Sequence, residues 1–111
     1  MMEPRLEAEI NRLHAAVCSA LSDPKRISIL YALYDGPKNV TELTELLGLN
    51  QATTSRHLKI LRDRSLVEAE RRGVHIYYSL ADERVIQALD LLREVLASTL
   101  EQRKTLAELM A

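Results

Sequence analysis

The chain has 111 residues, 47% of them hydrophobic, and a formal net charge of −1. These values suit one domain over residues 1–111 with its own core, and the lack of any apolar run of about 18 residues excludes a membrane-spanning segment. The opening residues lack a basic region followed by an apolar stretch, so no signal peptide is predicted, and the single cysteine excludes an internal disulfide and indicates a cytoplasmic protein.

The first predicted element is an amphipathic helix over about residues 4–21. Its apolar side chains recur at spacings of three and four residues, which places them on one face of a helix. They are Leu6, Ile10, Leu13, Val17 and Ala20.

Two further helices are predicted next. In "SDPKR", Ser22 or Asp23 is the N-cap and Pro24 the first helical residue, a combination typical of helix starts. This second helix stops at the turn-forming "DGP" of residues 35–37. A short third helix over about residues 40–47 ends at Gly48, because glycine favours the conformation found at helix C-termini.

The stretch "NQATTSRHLKIL", residues 50–61, predicts a fourth helix over about residues 50–63 with two unlike sides. On a helical wheel Thr54, Leu58 and Leu61 face inward, with His57 on their flank, where a structural histidine is favoured over a base or phosphate contact. The outward residues are small, polar or basic: Ala52, Ser55, Arg56 and Lys59, with Gln51 at the margin. Two short helices joined by a glycine-containing turn, the second with such a face, indicate a helix-turn-helix.

After this helix the pattern alternates with a period of two over "LVEAERRGVHIYYSL", residues 66–80. Such alternation, rich in β-branched and aromatic residues, predicts a two-stranded β-hairpin with its tip near Arg72 and Gly73. The helical period then returns over about residues 82–110. A continuous helix of that length spans about 40 Å, at about 1.5 Å per residue.

The two terminal helices, about residues 4–21 and 82–110, carry longer apolar stripes than one small domain can cover. We therefore predict a homodimer joined through both helices. The residues predicted for this interface are Leu6, Ile10, Leu13, Val17, Val85, Leu89, Leu92 and Leu96.

Charge is distributed unevenly along the chain. Residues 50–75 hold six basic and three acidic residues, a local charge of +3, and the remainder carries −4. A basic segment in an otherwise acidic protein supports contacts with nucleic-acid phosphates. Because a solvated charged surface has the same composition, charge is supporting information only.

The order of helices, helix-turn-helix, basic hairpin and helix predicts a mainly α (α+β) winged helix-turn-helix. The segments "ALSDPKRISIL" (20–30) and "VTELTELLGLNQATTSRHLKILRDRSLVEAERRGVHIYYSL" (40–80), with the closing helix, resemble the ArsR/SmtB family of bacterial transcriptional repressors. The resemblance extends over nearly the full length. It implies a homodimer that binds an inverted-repeat operator in double-stranded DNA and releases it when an inducer binds.

In this resemblance the fourth helix is the recognition helix and the hairpin is the wing. The predicted DNA-binding residues are Gln51, Ala52, Thr53, Ser55, Arg56, Lys59, Arg71 and Arg72. The small and polar members can approach base edges in the major groove, and Arg56 and Lys59 can reach a guanine edge or phosphates. The two wing arginines are assigned to the minor groove or flanking phosphates.

The two metal sites common in the resembling family are not expected here. Its thiol-rich motif falls on Asn39 and Thr41, neither of which is a soft ligand. The second site needs histidines in the last helix, but no histidine follows His75, and carboxylates alone make a poor tetrahedral zinc site. We predict no metal or other cofactor, and the sequence does not identify an effector.

His14 and Cys18 form one further candidate site, because residues four apart share a helix face. Three interpretations remain open for them. They are packing residues, or Cys18 is a redox-responsive thiol influenced by His14, or both residues from two protomers form an inter-subunit metal site.

Catalytic motifs are missing: the chain has no Gly-rich phosphate loop and no nucleophile elbow, so an enzyme is not predicted. Besides a repressor with an effector, three hypotheses stay open. One is a repressor that responds to oxidation of Cys18, and another is a repressor without a ligand. The last is a protein-interaction or dimerisation module that does not bind DNA.

Overall fold

The computed structural model describes residues 1–111 as five α-helices and three β-strands. The helices are α1 (Pro4–Leu13), α2 (Pro24–Tyr34), α3 (Val40–Leu47), α4 (Gln51–Asp63) and α5 (Arg84–Met110). The strands are β1 (Lys38–Asn39), β2 (Val67–Arg72) and β3 (His75–Leu80), and a π-helical turn (His14–Cys18) continues α1. We refer to α1 with this turn as the N-terminal helix. The predicted mainly α winged helix-turn-helix is confirmed.

Local capping groups define the helix-turn-helix. The Asn39 side chain accepts a hydrogen bond from the Glu42 N–H at 2.9 Å, and the Glu42 carboxylate accepts one from the Asn39 N–H at 3.1 Å, a capping box that starts α3. Gly48 ends α3 at φ 66°, a conformation that glycine adopts without strain. Asn50 then starts α4, because its side chain accepts the Thr53 N–H at 2.7 Å.

The wing is an antiparallel hairpin with a third, short strand at one edge. β2 and β3 pair from Val67 opposite Leu80 to Arg72 opposite His75, and Gly73, at φ 63°, opens the two-residue turn between them. β1 pairs with the other side of β3, giving the order β1-β3-β2. A strand of two residues is too short to show a period, which explains why the sequence predicted the hairpin alone. Since β1 leads directly into α3, it ties the helix-turn-helix to the wing.

A cluster of buried apolar side chains holds these elements together. Its largest fully buried members are Ile29, Leu30, Leu43, Leu58, Leu61 and Ile86. Burying a side chain of this size stabilises a fold by about 1.5–3 kcal/mol. The residues predicted to face inward on α4, Thr54, Leu58 and Leu61, are all buried. This burial determines which side α4 shows to solvent.

The long helix α5 divides into a packed start and an exposed remainder. Leu89 is 6% exposed and Val85 is half-buried, and both pack against the core of their own protomer, which leaves little of Leu89 for the predicted dimer surface. The hydroxyl of Tyr31 on α2 fastens this region by donating to Asp90 Oδ1 at 2.6 Å. A helical wheel shows that a stripe is apolar but does not show which partner covers it. The prediction for the start of α5 therefore differs from the structure.

The other residues predicted for the dimer interface are exposed or half-buried. Leu6, Ile10, Leu13, Leu92 and Leu96 are exposed, and Val17 is half-buried. α5 also exposes Leu91 and Val95, which the sequence pattern did not single out. Despite this apolar surface, none of the helices has the length and apolar composition needed to cross a membrane.

Candidate nucleic-acid interface

The outer side of α4 presents a polar and basic surface to solvent. Gln51, Ala52, Ser55, Arg56 and Lys59 are exposed, whereas Thr53 is half-buried. On the inner side Thr54 is fully buried, and its hydroxyl donates to the Asn50 carbonyl at 3.0 Å, so the polar residue does not disturb the core. The helix is thereby held with its small, polar and basic residues outward.

The two basic side chains of this surface are available to an anionic ligand. Lys59 Nζ lies 3.1 Å from Asp63 Oδ2 in an exposed pair four residues apart. Such a pair contributes about 0.3–0.5 kcal/mol, so a phosphate can replace the carboxylate at little cost. Arg56 takes part in none of the molecule's salt bridges, which leaves its guanidinium free.

The two wing arginines lie on opposite faces of the hairpin, because adjacent residues of a strand point to opposite sides. Arg72 lies over the Tyr77 ring, 5.2 Å from its centroid, and 3.3 Å from a carboxylate oxygen of Glu70. The Nε of Arg71 donates to the Gly73 carbonyl at 3.4 Å. The structure therefore does not bring the two together as one basic tip, and Arg71 is the less engaged of the pair.

A shallow groove runs between the start of α4 and the wing. Its lining includes Thr41, Gln51, Ser55, Val74, His75 and Tyr78. Val74 and His75 at the wing tip are exposed, as is Thr41 in the first turn of α3. Sequence reasoning did not assign these three to the interface. The position of His75 directly after the predicted hairpin tip could have indicated its place in the groove. The place of Thr41 could not be predicted, because the approach of α3 to the wing depends on long-range packing.

His57 supports α4 from behind this surface. Its side chain is 5% exposed, and Arg26 Nη1 lies 3.3 Å from its Nδ1. Burial lowers the pKa of His57; the Asp23 carboxylate opposes this effect, and the Arg26 charge adds to it. The neutral ring is therefore favoured, and the contact assigns Nδ1 as the acceptor from Arg26. This is the structural role predicted from the position of His57 on the inner flank.

His14 and Cys18 begin and end the π-helical turn, and both side chains are exposed. No group of three or more His, Cys, Asp or Glu side chains is placed to hold a metal ion. Within one protomer this pair therefore offers two potential ligands, fewer than the four of a tetrahedral structural site.

Comparison with known proteins identifies the family. The profile described as "Bacterial regulatory protein, arsR family" matches residues 23–69, which run from the N-cap of α2 into β2. The arsenical resistance operon repressor of Bacillus subtilis (strain 168) is 40% identical over 80 residues, which cover 71% of this chain and 76% of the repressor. The chain belongs to the ArsR family.

Other relatives agree with ArsR-family membership. The HTH-type transcriptional regulator NmtR of Mycobacterium tuberculosis is 43% identical over 76 residues, a match that spans 68% of this chain and 63% of NmtR. The homodimeric winged helix-turn-helix DNA-binding domain of Mb0332 from Mycobacterium bovis has a TM-score of 0.76 at 33% identity, covering 91% of this chain and 93% of that one. NolR from Sinorhizobium fredii has a TM-score of 0.74 at 34% identity, covering 86% and 94%.

As an ArsR-family member the protein is a DNA-binding transcriptional regulator, and its relatives are regulators rather than enzymes. The matched profile contains α2, α3 and α4 entire and stops within β2. Both terminal helices lie outside it. The family profile therefore covers the part that carries the polar and basic surface of α4, and the exposed apolar surfaces lie elsewhere.

Proposed function

We propose that this protein is a homodimeric transcriptional repressor that binds an inverted-repeat operator in double-stranded DNA. The observation that carries the proposal is the outer side of α4, where small, polar and basic side chains are exposed above a buried inner side. The proposed DNA contacts are Gln51, Ala52, Thr53, Ser55, Arg56, Lys59, Arg71 and Arg72. The half-buried Thr53 lies at the edge of this surface.

Each class of side chain has a distinct task in this proposal. Gln51 and Ser55 hydrogen-bond base edges in the major groove, while Ala52 permits close approach of the helix. Arg56 reaches a guanine edge or a phosphate, and Lys59 exchanges Asp63 for a phosphate. The wing arginines meet the minor groove and flanking phosphates from the two faces of the hairpin.

The dimer is supported by the apolar side chains that α1 and α5 leave exposed. They include Leu6, Ile10, Leu13, Leu92 and Leu96. Monomeric proteins rarely expose contiguous apolar patches above a few hundred Å². The similar Mb0332 domain is homodimeric. Two recognition helices related by a twofold axis would contact half-sites about 34–36 Å apart.

We propose that control does not use the family's familiar metal sites, because Asn39 and Thr41 are not soft ligands and no histidine lies beyond β3. The exposure of Cys18 favours a second candidate, a redox-responsive repressor. Two Cys18 thiols, one from each protomer, would reduce one hydrogen peroxide to two waters and form an inter-subunit disulfide.

The test is a titration of the purified protein onto fluorescent DNA from its own upstream region, read by anisotropy with unrelated DNA as competitor. We expect binding that resists the competitor, and a footprint with dyad symmetry. Arg56→Ala should cost about 1–3 kcal/mol of operator affinity and relax specificity. Arg5→Ala removes the same charge from α1, outside the set of proposed contacts, and is the matched control.

Two outcomes would favour another function. If Arg56→Ala binds like the wild type, or if unrelated DNA competes equally well, the protein-interaction module becomes the better explanation. A parallel titration after peroxide treatment, with Cys18→Ser as control, tests the second candidate. Release of DNA on oxidation by the wild type but not by Cys18→Ser would establish it, and equal behaviour would exclude it.

A further inference from the structure

Two arginines connect the N-terminal helix to the recognition helix α4. The first is Arg26 of α2, whose side chain is 12% exposed. Its Nε donates to the Ala20 carbonyl at 2.7 Å, its Nη2 donates to the Ser19 carbonyl at 3.4 Å, and its Nη1 lies 3.3 Å from Nδ1 of His57. One partly buried guanidinium therefore contacts both the residues that directly follow the N-terminal helix and the inner side of α4.

The second is Arg64, the C-cap residue of α4. Its Nη1 donates to the Ala15 carbonyl, to the Ala16 carbonyl at 3.3 Å and to the Ser19 hydroxyl at 2.8 Å. Although it belongs to the basic segment of residues 50–75, its guanidinium is occupied by the N-terminal helix. The end of the recognition helix is thus attached directly to that helix.

The acceptors of Arg64 belong to the π-helical turn or follow it immediately. There the Ser19 N–H bonds to the His14 carbonyl, five residues back instead of the four of an α-helix. The Ser19 hydroxyl donates to the Ala15 carbonyl at 2.5 Å, so this carbonyl receives both the hydroxyl and Arg64. Widened turns of this kind change the direction of backbone carbonyls, which here meet a guanidinium from another element.

Little else holds the N-terminal helix to the rest of the protomer. Neither α1 nor the π-helical turn contains a buried residue, and the first buried side chain along the chain is Ala20. The direction in which α1 leaves the domain therefore depends on the short stretch of residues 15–20, where both arginines bind. A planar guanidinium with several donors fixes an orientation, which a single apolar contact does not.

We propose that Arg26 and Arg64 are positioning residues that hold α4 at a fixed angle to the N-terminal helix, so that the pairing of two N-terminal helices sets the separation of the two recognition helices. This inference rests on the proposed dimeric repressor. It assigns the arginines to operator spacing rather than to contacts with DNA.

The test measures how sharply the protein discriminates the spacing of half-sites. A symmetric site is selected from random DNA by the wild-type protein, and versions lengthened or shortened by a single base pair are then prepared. One base pair changes the half-site separation by about 3.4 Å and rotates the half-sites by about 34°. We expect the wild type to lose about tenfold in affinity on the altered sites and Arg64→Gln to lose about threefold or less.

Arg62→Gln is the charge-matched control, because Arg62 is exposed on the same helix and takes part in none of the salt bridges. It should bind all sites more weakly yet keep the wild-type discrimination. The salt dependence separates positioning from phosphate contact. Losing a phosphate contact lowers the slope of log affinity against log salt by about 0.9, and Arg64→Gln should leave that slope unchanged.

Two results would overturn the inference: discrimination that Arg64→Gln retains, with or without an equal loss of affinity on every site, or a reduced salt slope. Arg26→Lys, which keeps the charge at this partly buried position, provides a second variant and should also reduce discrimination. A wild-type protein that is monomeric or selects no symmetric site would overturn the proposed function itself. The two failures are distinguishable, because the proposed function is tested on the wild type and the positioning inference is tested on the variants.

Discussion

The helix-turn-helix and the terminal helices use the same apolar periodicity with opposite results. Leu58 of α4 is 0% exposed, whereas Leu92 of α5 is 61% exposed, although both belong to apolar stripes of amphipathic helices. The first stripe is covered by α2, α3 and the wing of the same chain. Beyond Leu89, the apolar side chains of the second stripe are exposed in the protomer. Periodicity therefore establishes that a face needs a partner, and the tertiary structure shows whether that partner is already present.

The difference assigns distinct tasks to the two regions. The helix-turn-helix and the wing contain most of the buried core, and the ArsR-family profile matches this region from residue 23 to residue 69, within β2. α1 and the later turns of α5 add little to that core, and their exposed leucines are explained by the proposed dimer. Substitutions should accordingly affect folding in the first region and association in the second.

The largest expected effect is on the core. Leu58→Ala removes a fully buried side chain and should reduce the free energy of unfolding by about 2–5 kcal/mol, since the cavity adds to the lost burial. Urea denaturation followed by circular dichroism measures it. Leu106→Ala, in the exposed later part of α5, is the control and should change the stability of the protomer fold by about 0.5 kcal/mol or less.

The next largest effect is on association of the two protomers and leaves folding of the protomer unchanged. Leu92→Glu places a carboxylate on the proposed dimer surface and should weaken association by about a hundredfold, because burying an unpaired charge is costly. Sedimentation velocity at several concentrations measures the change, and an unaltered circular dichroism spectrum would show that the protomer still folds. A wild-type protein that sediments as a monomer would refute the comparison.

The burial of His57, to which the nearby Arg26 charge adds, should make stability depend on pH. Because burial lowers the pKa of His57 in the folded state, the unfolded chain binds the proton first as the pH falls below about 6.5. Stability is therefore full above that pH and decreases below it, by at most about 1.4 kcal/mol per pH unit. Urea titrations at pH 7.5 and 5.5 measure the loss, each pH chosen about one unit from the usual histidine pKa.

His57→Gln is the control for this pH dependence, because a glutamine oxygen can accept from Arg26 without titrating. The loss between the two pH values should shrink in this variant. Asp23 and Asp82 do not interfere: their pKa values are lowered, that of Asp82 to about 2, so both stay ionised throughout this range. An equal loss in the variant and the wild type would assign the effect to other groups.

The smallest expected effect is at the junction between α4 and the wing. Ser65 has φ 61°, the only positive φ outside glycine, and it follows the Arg64 C-cap in a Schellman motif closed by the Leu66 N–H on the Leu61 carbonyl at 2.9 Å. Ser65→Gly should stabilise the protein by about 0.5 kcal/mol, because relief of the strained backbone exceeds the entropy that glycine adds to the unfolded chain. Thermal unfolding measures the change, and Ser65→Ala, which keeps the strain, should give no such gain.

Local sequence signals were sufficient to predict much of the helix-turn-helix and the wing. Pro24 after Asp23, Gly48 before Asn50, and the alternating residues of the wing each act through neighbours within a few positions. Their consequences, an N-cap, a left-handed C-cap and a hairpin, are visible in the chain itself. The outer side of α4 followed from the same reasoning, because a helix with one buried side must show the other.

Contacts between distant segments were beyond that reasoning. Arg26 and His57 are 31 residues apart, and Arg64 and Ala15 are 49 apart. The sequence offered Arg64 as one more basic residue, and no local pattern indicated that the π-helical turn would accept its hydrogen bonds. The division of α5 between Leu89 inside and Leu92 outside had the same origin, since it depends on where α2 crosses that helix.

The amino-acid order thus determined the helices and the hairpin of this protein and the polarity of their faces, because capping, turn formation and amphipathic periodicity act over a few residues. Folding in three dimensions determined which apolar faces meet within the chain and which arginines join the N-terminal helix to α4. The physical reason is that packing and side-chain hydrogen bonds require particular distances between segments far apart in sequence, and those distances exist only once the core has formed.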